Sequence, residues 1–358
     1  MRCLVVGAGP SGLAAALFLT EQGIYPRIID KHTGPSSFSK ALGINPRTLE
    51  LLEPSGLTEK FLHNGRKMET INVWRNHRLV FKNKLSRVHH RYPFMLIQPQ
   101  RESELLLLEE LNRRGIQVAW EVACEQLRTE NARVHTHLVG PDGLAEEVVS
   151  EVVIGADGAS SRVREQLQLT SEGFRYHESW ELYDIILEGP LAADEGHIFL
   201  FDEGGLIMIR LRENVWRVAG NLPAILNYLP PGTTTGSTVW ASAFVISHRL
   251  AEQLGRGNVA LIGDAAHLHS PVGARGMNLG VEDAFILSRL IADRRMDEFT
   301  QRRRPYLEKT VRRINAMTQS MTGHDFLPRQ IRKNMSWLRF FFPILAPTAR
   351  RFVMGLNS

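Results

Sequence analysis

The sequence predicts an α/β protein, α+β overall, in which a Rossmann-like βαβ domain is interrupted by an antiparallel sheet and followed by C-terminal helices. Three observations predict it. Residues 2–6 form an apolar run before a glycine-rich turn, residues 11–22 are rich in Ala and Leu, and a second apolar run ends at Asp30. Residues 176–245 alternate apolar and polar side chains, which is typical of antiparallel strands. From residue 301 onward the pattern is helical and basic.

These changes of pattern define the domain organisation. The chain has 358 residues, of which 43% are hydrophobic and 23% charged, so it can bury a large core. We predict a discontinuous nucleotide-binding domain at 1–70, 95–175 and 246–300, a substrate-binding sheet domain at 71–94 and 176–245, and a basic helical region at 301–358.

The positive charge is concentrated at the C-terminal end. Residues 300–358 contain 12 Lys or Arg and 2 Asp or Glu, against a net charge of +5 for the whole chain. The favoured interpretation is a solvated helical face packed on an acidic body, and peripheral membrane contact stays open. The apolar stretch Trp337–Leu345 is too short to span a membrane. We predict no nucleic-acid partner, and the oligomeric state is left open.

The two cysteines predict no metal or redox site. Cys3 and Cys124 lack the spacing of either, so buried or free thiols are favoured, as in a reducing cytoplasm. A strand pattern begins almost at the first residue, with no secretory pattern before it, and no run of about 18 apolar residues occurs. We therefore expect a cytoplasmic protein without a metal or a transmembrane segment.

The turn after the first strand predicts a dinucleotide site. Its first Gly permits the tight turn, the second lets a pyrophosphate approach the backbone, and the third lets helix and strand pack closely. The helix N-terminus then offers N–H groups to phosphates. Asp30 is placed to accept hydrogen bonds from ribose hydroxyls, and Lys31 beside it is a further candidate. The motif residues are Gly7, Gly9, Pro10, Ser11 and Gly12.

A second motif favours FAD over NAD. Gly263–His267 follows an apolar strand, and Ser270–Asn278 opens a helix. Asp264 is placed to bind polyol hydroxyls. N–H groups near Gly276, Met277 and Asn278 are placed to stabilise negative charge on a ring system. The first turn alone does not distinguish an FAD-binding protein from an NAD-dependent dehydrogenase. Such a dehydrogenase does not need the second glycine-rich loop.

The ordered motifs resemble a known family. Gly7–Gly12, Gly155–Gly158 and Gly263-Asp264, with the stretches Ala41–Glu50 and Trp240–Phe244, resemble the flavoprotein aromatic hydroxylases of the p-hydroxybenzoate hydroxylase type. The resemblance covers roughly residues 1–300.

The resemblance implies a reaction and a set of site residues. Bound FAD is reduced by transient NAD(P)H, O₂ forms a flavin C4a-hydroperoxide, and one oxygen passes to an aromatic, polycyclic or other electron-rich substrate. It assigns Asp264 to the ribityl chain, and Asp157 to the region of the pyrophosphate and the NAD(P)H path. Further residues that it places at the cofactor are Lys40, Gln100, Pro271, Gly273, Gly276, Met277 and Asn278. Lys40 and Arg275 depart from the residues usual in the family.

The catalytic residues stay open. His267 and His269 lie near the second motif as candidate bases, but packed structural histidines are the favoured interpretation. Arg210 and Tyr183 lie on predicted strands, where alternation does not decide whether they face substrate.

Several other functions stay open as well. They are an FAD-dependent reductase or dehydrogenase, a halogenase, and a non-catalytic FAD-binding accessory protein. The paired-Trp motif of halogenases is not visible in the sequence. The accessory role is suggested by the short segment between Leu222 and Val239, which lacks room for a helix that many members of the resembled family carry.

Overall fold

The structure is a computed structural model, and it describes residues 1–36, 41–323, 326–334 and 342–356. Lys40 and most of the apolar stretch 337–345 lie outside the described residues.

The helices and strands follow the predicted order closely. The α-helices are α1 (Pro10–Glu21), α2 (Pro46–Leu52), α3 (Leu57–Asn64), α4 (Gln100–Arg113), α5 (Arg162–Gln166), α6 (Gly276–Ala292), α7 (Phe299–Thr322), α8 (Phe326–Lys333) and α9 (Phe342–Val353). The strands are β1 (Cys3–Val6), β2 (Arg27–Asp30), β3 (Gly43–Ile44), β4 (Arg66–Met68), β5 (Thr70–Arg75), β6 (Arg78–Lys84), β7 (Met95–Ile97), β8 (Val118–Trp120), β9 (Ala123–Glu130), β10 (Arg133–Val139), β11 (Ala145–Ser150), β12 (Val152–Gly155), β13 (Ser171–Glu188), β14 (Gly196–Leu200), β15 (Gly205–Arg212), β16 (Val215–Gly220), β17 (Thr234–Ala251), β18 (Gly255–Arg256), β19 (Val259–Leu261) and β20 (His267–Leu268).

The predicted Rossmann-like sheet is confirmed. Its strand order is β18-β19-β12-β1-β2-β8, and β1 pairs in parallel with β12 and β2. Both faces of β1 are buried, which explains its uninterrupted apolar sequence. Helix α1 packs against α4 and α6, and its residues from Gly12 to Leu19 are all buried. The carboxyl ends of these parallel strands carry the glycine motifs.

The predicted inserted sheet is the eight-stranded sheet β20-β17-β13-β16-β15-β14-β5-β6. Strands β13 and β17 are 18 residues long and pair antiparallel along most of their length. The domain limits predicted near 175 and 245 fall inside these two strands. At its carboxyl end β17 packs on the Rossmann core through Leu250 and Ala251, whereas Ile246 of the same strand packs in a cluster of the sheet itself. One face of this sheet is turned towards the loop before α6 and towards α7.

The basic C-terminal region is not only a solvated face. Arg303 on α7 is buried and donates to Asp283 and Glu282 of α6, at 2.7 and 3.0 Å. Arg332 on α8 is also buried, and its guanidinium donates to backbone carbonyls, including that of Phe201 at 3.0 Å. Part of the positive charge is therefore neutralised or hydrogen-bonded inside the fold.

The cysteines match their prediction as free, buried thiols. Burial raises the pKa of Cys3 and of Cys124 to about 12, so both are unreactive at neutral pH.

In the part of the chain that the structure describes, no helix is both long and apolar enough to cross a bilayer.

Candidate functional site

The first glycine turn has the close contacts that its sequence predicts. Gly7 has φ +107°, a conformation that disfavours side chains. A Cβ atom on Gly7 would overlap the backbone of Ala156, and one on Gly12 would overlap the Gly7 carbonyl oxygen. These two glycines therefore allow β1, β12 and α1 to approach one another.

Gly9 differs from its neighbours because it faces open space. A Cβ atom there would meet nothing within 4 Å. Pro10 occupies the first turn of α1, and no described side chain caps that helix end. The space in front of Gly9 and the N-terminus of α1 therefore suit a phosphate group.

Asp30 is fixed beside this turn. Its Oδ2 accepts from the Ala8 N–H at 2.7 Å, and its Oδ1 accepts from the His32 N–H at 2.9 Å. Lys31 is exposed. Both carboxylate oxygens of Asp30 thus accept from backbone N–H groups, which fixes the side chain beside the turn, and the ribose and Lys31 contacts stay predictions.

The first turn touches the second motif directly. Gly263 has φ +58°, and a Cβ atom on Gly263 or on Gly280 of α6 would overlap the Ser11 hydroxyl. Asp264, next to this contact, is exposed. The two glycine motifs, which are 251 positions apart from Gly12 to Gly263, therefore form one continuous cradle.

Asn278 holds the loop before α6 against the segment that follows β3. Its Oδ1 accepts from the Asn45 N–H at 2.9 Å and from the Thr48 hydroxyl at 2.7 Å. Its Nδ2 donates to the carbonyls of Gly43 and Ala274, at 2.8 and 2.6 Å. The amide is fully buried and fully used by the protein. Any contact of Asn278 with the flavin would therefore involve its backbone.

The N-terminus of α6 is open for a ligand. No described side chain caps the helix end formed by Arg275, Gly276 and Met277. Gly273 and Ala274, just before it, both have positive φ, at +90° and +51°. Pro271 begins this turn, and its carbonyl accepts from the Ala274 N–H at 3.0 Å. Backbone N–H groups with the helix dipole behind them suit a ring that carries negative charge.

Buried amides near this loop support a polar ligand. Gln98 is 0% exposed, and neither of its side-chain polar atoms has a hydrogen-bond partner among the described residues. The buried Nδ2 atom of Asn45 also has no hydrogen-bond partner among the described residues. Because unsatisfied buried groups are costly, these atoms favour a bound molecule with polar edges, as FAD has. Gln100, the predicted cofactor contact, lies at the start of α4, where its Nε2 donates to Glu104 at 2.7 Å, and its contact with FAD stays a prediction.

Asp157 has a structural role near the first turn. Its Oδ1 accepts from the Ser161 hydroxyl at 2.5 Å, and its Oδ2 accepts from the Val163 N–H at 3.0 Å. It therefore holds the start of α5. The backbone at Asp157 lies beside Gly7, so its predicted position near the pyrophosphate is compatible with this geometry.

The two candidate histidines already have partners within the protein. His267 is buried, and its Nε2 lies 2.6 Å from Asp283 Oδ2. Burial, together with His267, lowers the pKa of His269 to about 3. A base is most effective when its pKa lies near the working pH, so His269 would accept protons weakly at neutral pH. The favoured structural interpretation agrees with these contacts.

The two sheet candidates do not face the loop before α6. Tyr183 packs into the apolar cluster on the far face of the sheet, with Leu206 and Met208. Arg210 alternates with Ile209 and Leu211, and those two residues pack towards Ala274. Strand periodicity therefore puts both candidates on the side away from the cradle.

The C-terminal segment covers one side of the site, which the sequence did not predict. Met354 is 0% exposed and packs in a cluster with Leu42, Met95 and Ala274. The Arg275 guanidinium lies 5.9 Å from the centre of the Phe352 ring. An apolar sequence gives no indication of the distant residues against which it packs.

A parallel sheet with these two joined glycine motifs defines a flavin-nucleotide-binding α/β protein. The chain matches the family model described as FAD binding domain over residues 1–224 and 221–314. It belongs to this family of FAD-binding proteins, and FAD is its cofactor.

Named relatives support this assignment. 6-Methylpretetramide 4-monooxygenase from Streptomyces rimosus is 31% identical over 82% of the chain, and pentachlorophenol 4-monooxygenase from Sphingobium chlorophenolicum is 31% identical over 90%. The matches span 56% and 65% of those two relatives.

Solved structures share the fold. The p-nitrophenol 4-monooxygenase of Pseudomonas putida superposes with a TM-score of 0.87 at 22% identity, covering 99% of this chain and 97% of that one. An anhydrotetracycline hydroxylase from Streptomyces rimosus gives a TM-score of 0.82 at 26% identity, covering 100% and 77%.

Proposed function

We propose that the protein is an FAD-dependent monooxygenase that uses NAD(P)H and O₂ to hydroxylate an aromatic or other electron-rich small molecule. The observation that carries the proposal is the Ser11 contact with Gly263 and Gly280, which joins a phosphate-binding turn to a second loop suited to the flavin ring. The names of the relatives, which are monooxygenases acting on phenols and polycyclic compounds, support the reaction.

The chain's own residues bind and orient the cofactor. The turn at Gly9 and the N-terminus of α1 would hold the pyrophosphate, while Asp30 and Asp264 would hold ribose and ribityl hydroxyls. The N–H groups at the start of α6 would stabilise negative charge at the pyrimidine edge of the ring. Bound FAD would supply the redox chemistry, in which two electrons from NAD(P)H activate O₂, one oxygen atom of O₂ enters the substrate and the other leaves as water.

The apolar face of the eight-stranded sheet would hold the substrate and exclude water. Ile207 and Ile209 lie on this face and belong to clusters that include Val272 and Ala274 of the loop before α6. An apolar wall beside the flavin loop suits an aromatic ring and limits wasteful release of the activated oxygen. A cytoplasmic location stays a prediction.

The test is oxygen incorporation by the purified holoenzyme. Candidate substrates such as pentachlorophenol and anhydrotetracycline should accelerate NADH or NADPH oxidation, and ¹⁸O₂ should yield a product that contains one labelled oxygen. Turnover that continues without O₂ would indicate a reductase, and halide-dependent product would indicate a halogenase. A flavin that neither NADH nor NADPH reduces, with any substrate, would indicate an accessory protein.

A further inference from the structure

A buried ion pair links two neighbouring strands of the eight-stranded sheet. Asp184 of β13 and Arg217 of β16 are direct partners in the strand register. Arg217 donates through Nε and Nη2 to the two carboxylate oxygens of Asp184, at 2.7 and 2.8 Å. The two side chains are only 8% and 10% exposed. This fork-to-fork geometry fixes the guanidinium plane.

The pair lies on the face of the sheet that is turned towards the flavin loop. Along β16, Arg217 alternates with Val215 and Ala219, so the three side chains share a face. Val215 packs against a cluster that includes Ala274, and Ala219 belongs to a cluster that includes Val272. Arg217 is therefore flanked on both sides by residues whose clusters contain the loop before α6.

One donor of this guanidinium is unused. The Nη1 atom of Arg217 is buried and has no hydrogen-bond partner among the described residues. Its guanidinium carbon lies 5.4 Å from the centre of the Trp240 ring. Asp184 already neutralises the charge of the Arg217 guanidinium. A further acceptor therefore needs only to accept hydrogen bonds from the N–H groups that remain on Nη1. A buried donor of this kind favours a ligand oxygen.

We infer that Arg217 determines specificity for substrates that carry a phenol or phenolate oxygen on the aromatic ring. The Nη1 of Arg217 donates to that oxygen while the ring packs on the apolar residues around it. Asp184 is the positioning residue that holds the guanidinium. The inference rests on the proposed function, because it assumes that the substrate binds between this face and the flavin.

The test compares phenols with their methyl ethers on the FAD-loaded enzyme. The probes are pentachlorophenol against pentachloroanisole, and 1,8-dihydroxyanthraquinone against 1,8-dimethoxyanthraquinone, with Kd measured from the change in flavin absorbance. In the wild type, at least one phenol should bind about ten-fold or more tightly than its ether. Equal affinities within both pairs would overturn the inference.

The variants separate this role from folding. Arg217→Met alone leaves a buried, unpaired Asp184 carboxylate, so the main variant combines it with Asp184→Leu. This double variant should bind FAD normally and reduce the phenol preference to about three-fold or less. An unchanged preference would overturn the inference. If the double variant loses FAD, Arg217→Lys decides by the same ratio, because it keeps the charge but loses the fork.

The control uses an exposed two-point ion pair between an arginine and a carboxylate elsewhere. Arg27 and Glu146 form a two-point ion pair at 2.7 and 2.7 Å at the edge of the Rossmann domain. Arg27→Met with Glu146→Leu should leave the phenol preference unchanged. A loss in this control equal to that in the double variant would contradict a local role for Arg217. Absence of ¹⁸O incorporation with the preference intact would refute the proposed function and leave the binding role standing.

Discussion

Replacing Asn278 by Ala tests whether one buried amide holds the flavin loop in place. The change removes four hydrogen bonds, to Asn45, Thr48, Gly43 and Ala274, all between 2.6 and 2.9 Å. A hydrogen bond contributes about 1 kcal/mol net, and partners left buried and unpaired add to the cost. Water entering the space would recover part of it. We expect Asn278→Ala to lower the free energy of unfolding by about 2–4 kcal/mol.

The assay is urea denaturation of the apoprotein together with a fluorescence titration of FAD binding. Because the amide joins the two segments beside the N-terminus of α6, FAD affinity should fall together with stability. The exposed Asn64 makes a single bond, to the Lys60 carbonyl at 3.0 Å, so Asn64→Ala should change stability by less than about 0.5 kcal/mol. A variant at Asn278 that matches Asn64→Ala in both measurements would refute the reasoning.

Three further predictions follow from the packing and the titration of the site. Gly9→Ala should fold normally yet bind FAD at least about ten-fold more weakly, because its methyl group enters only the space meant for the ligand. Gly12→Ala should instead lower the melting temperature of the apoprotein, because its methyl group overlaps the Gly7 carbonyl oxygen. Equal FAD affinities and equal melting temperatures of the two variants would contradict this prediction. Burial lowers the pKa of His248 to about 4, below its unfolded value of 6.5, so protonation favours the unfolded state and stability should fall as pH drops from about 6.5 to 4. Urea titrations should show a shallower fall for His248→Phe, and an identical slope would refute it. Met354→Ala should destabilise the protein by about 2–4 kcal/mol in urea titrations and weaken FAD binding, because this buried side chain packs beside Ala274; unchanged values for both would show that the C-terminal segment does not support the site.

The sequence predicted those parts of the molecule whose chemistry is local. The turn Gly7–Gly12 needs glycine because of backbone contacts that begin within a few residues, and the strand–helix–strand order follows from apolar periodicity. The same applies to the strands of the inserted sheet, whose alternation is visible in the chain.

What the sequence could not predict depends on contacts between distant residues. Asp184 and Arg217 are 33 positions apart, and only the strand register makes them neighbours. Gln98 looks like any surface amide until its burial is known. For Tyr183 and Arg210, a shift of one residue in register decides which face a side chain takes, and alternation alone does not fix which face is turned to the flavin.

Helix α6 fixes both halves of the cradle at once. Asn278, in its first turn, binds the segment after β3, while Asp283, less than two turns later, accepts from the Gly263 N–H at 3.1 Å and lies 2.6 Å from His267. Burial alone would raise the pKa of Asp283, but His267 and Arg303 lower it to about 2, so the carboxylate stays charged at any physiological pH. A helix held at both points by buried polar contacts cannot shift without breaking them. We therefore expect these contacts to order the loops on either side, so that FAD binding need not supply all of the free energy to order them.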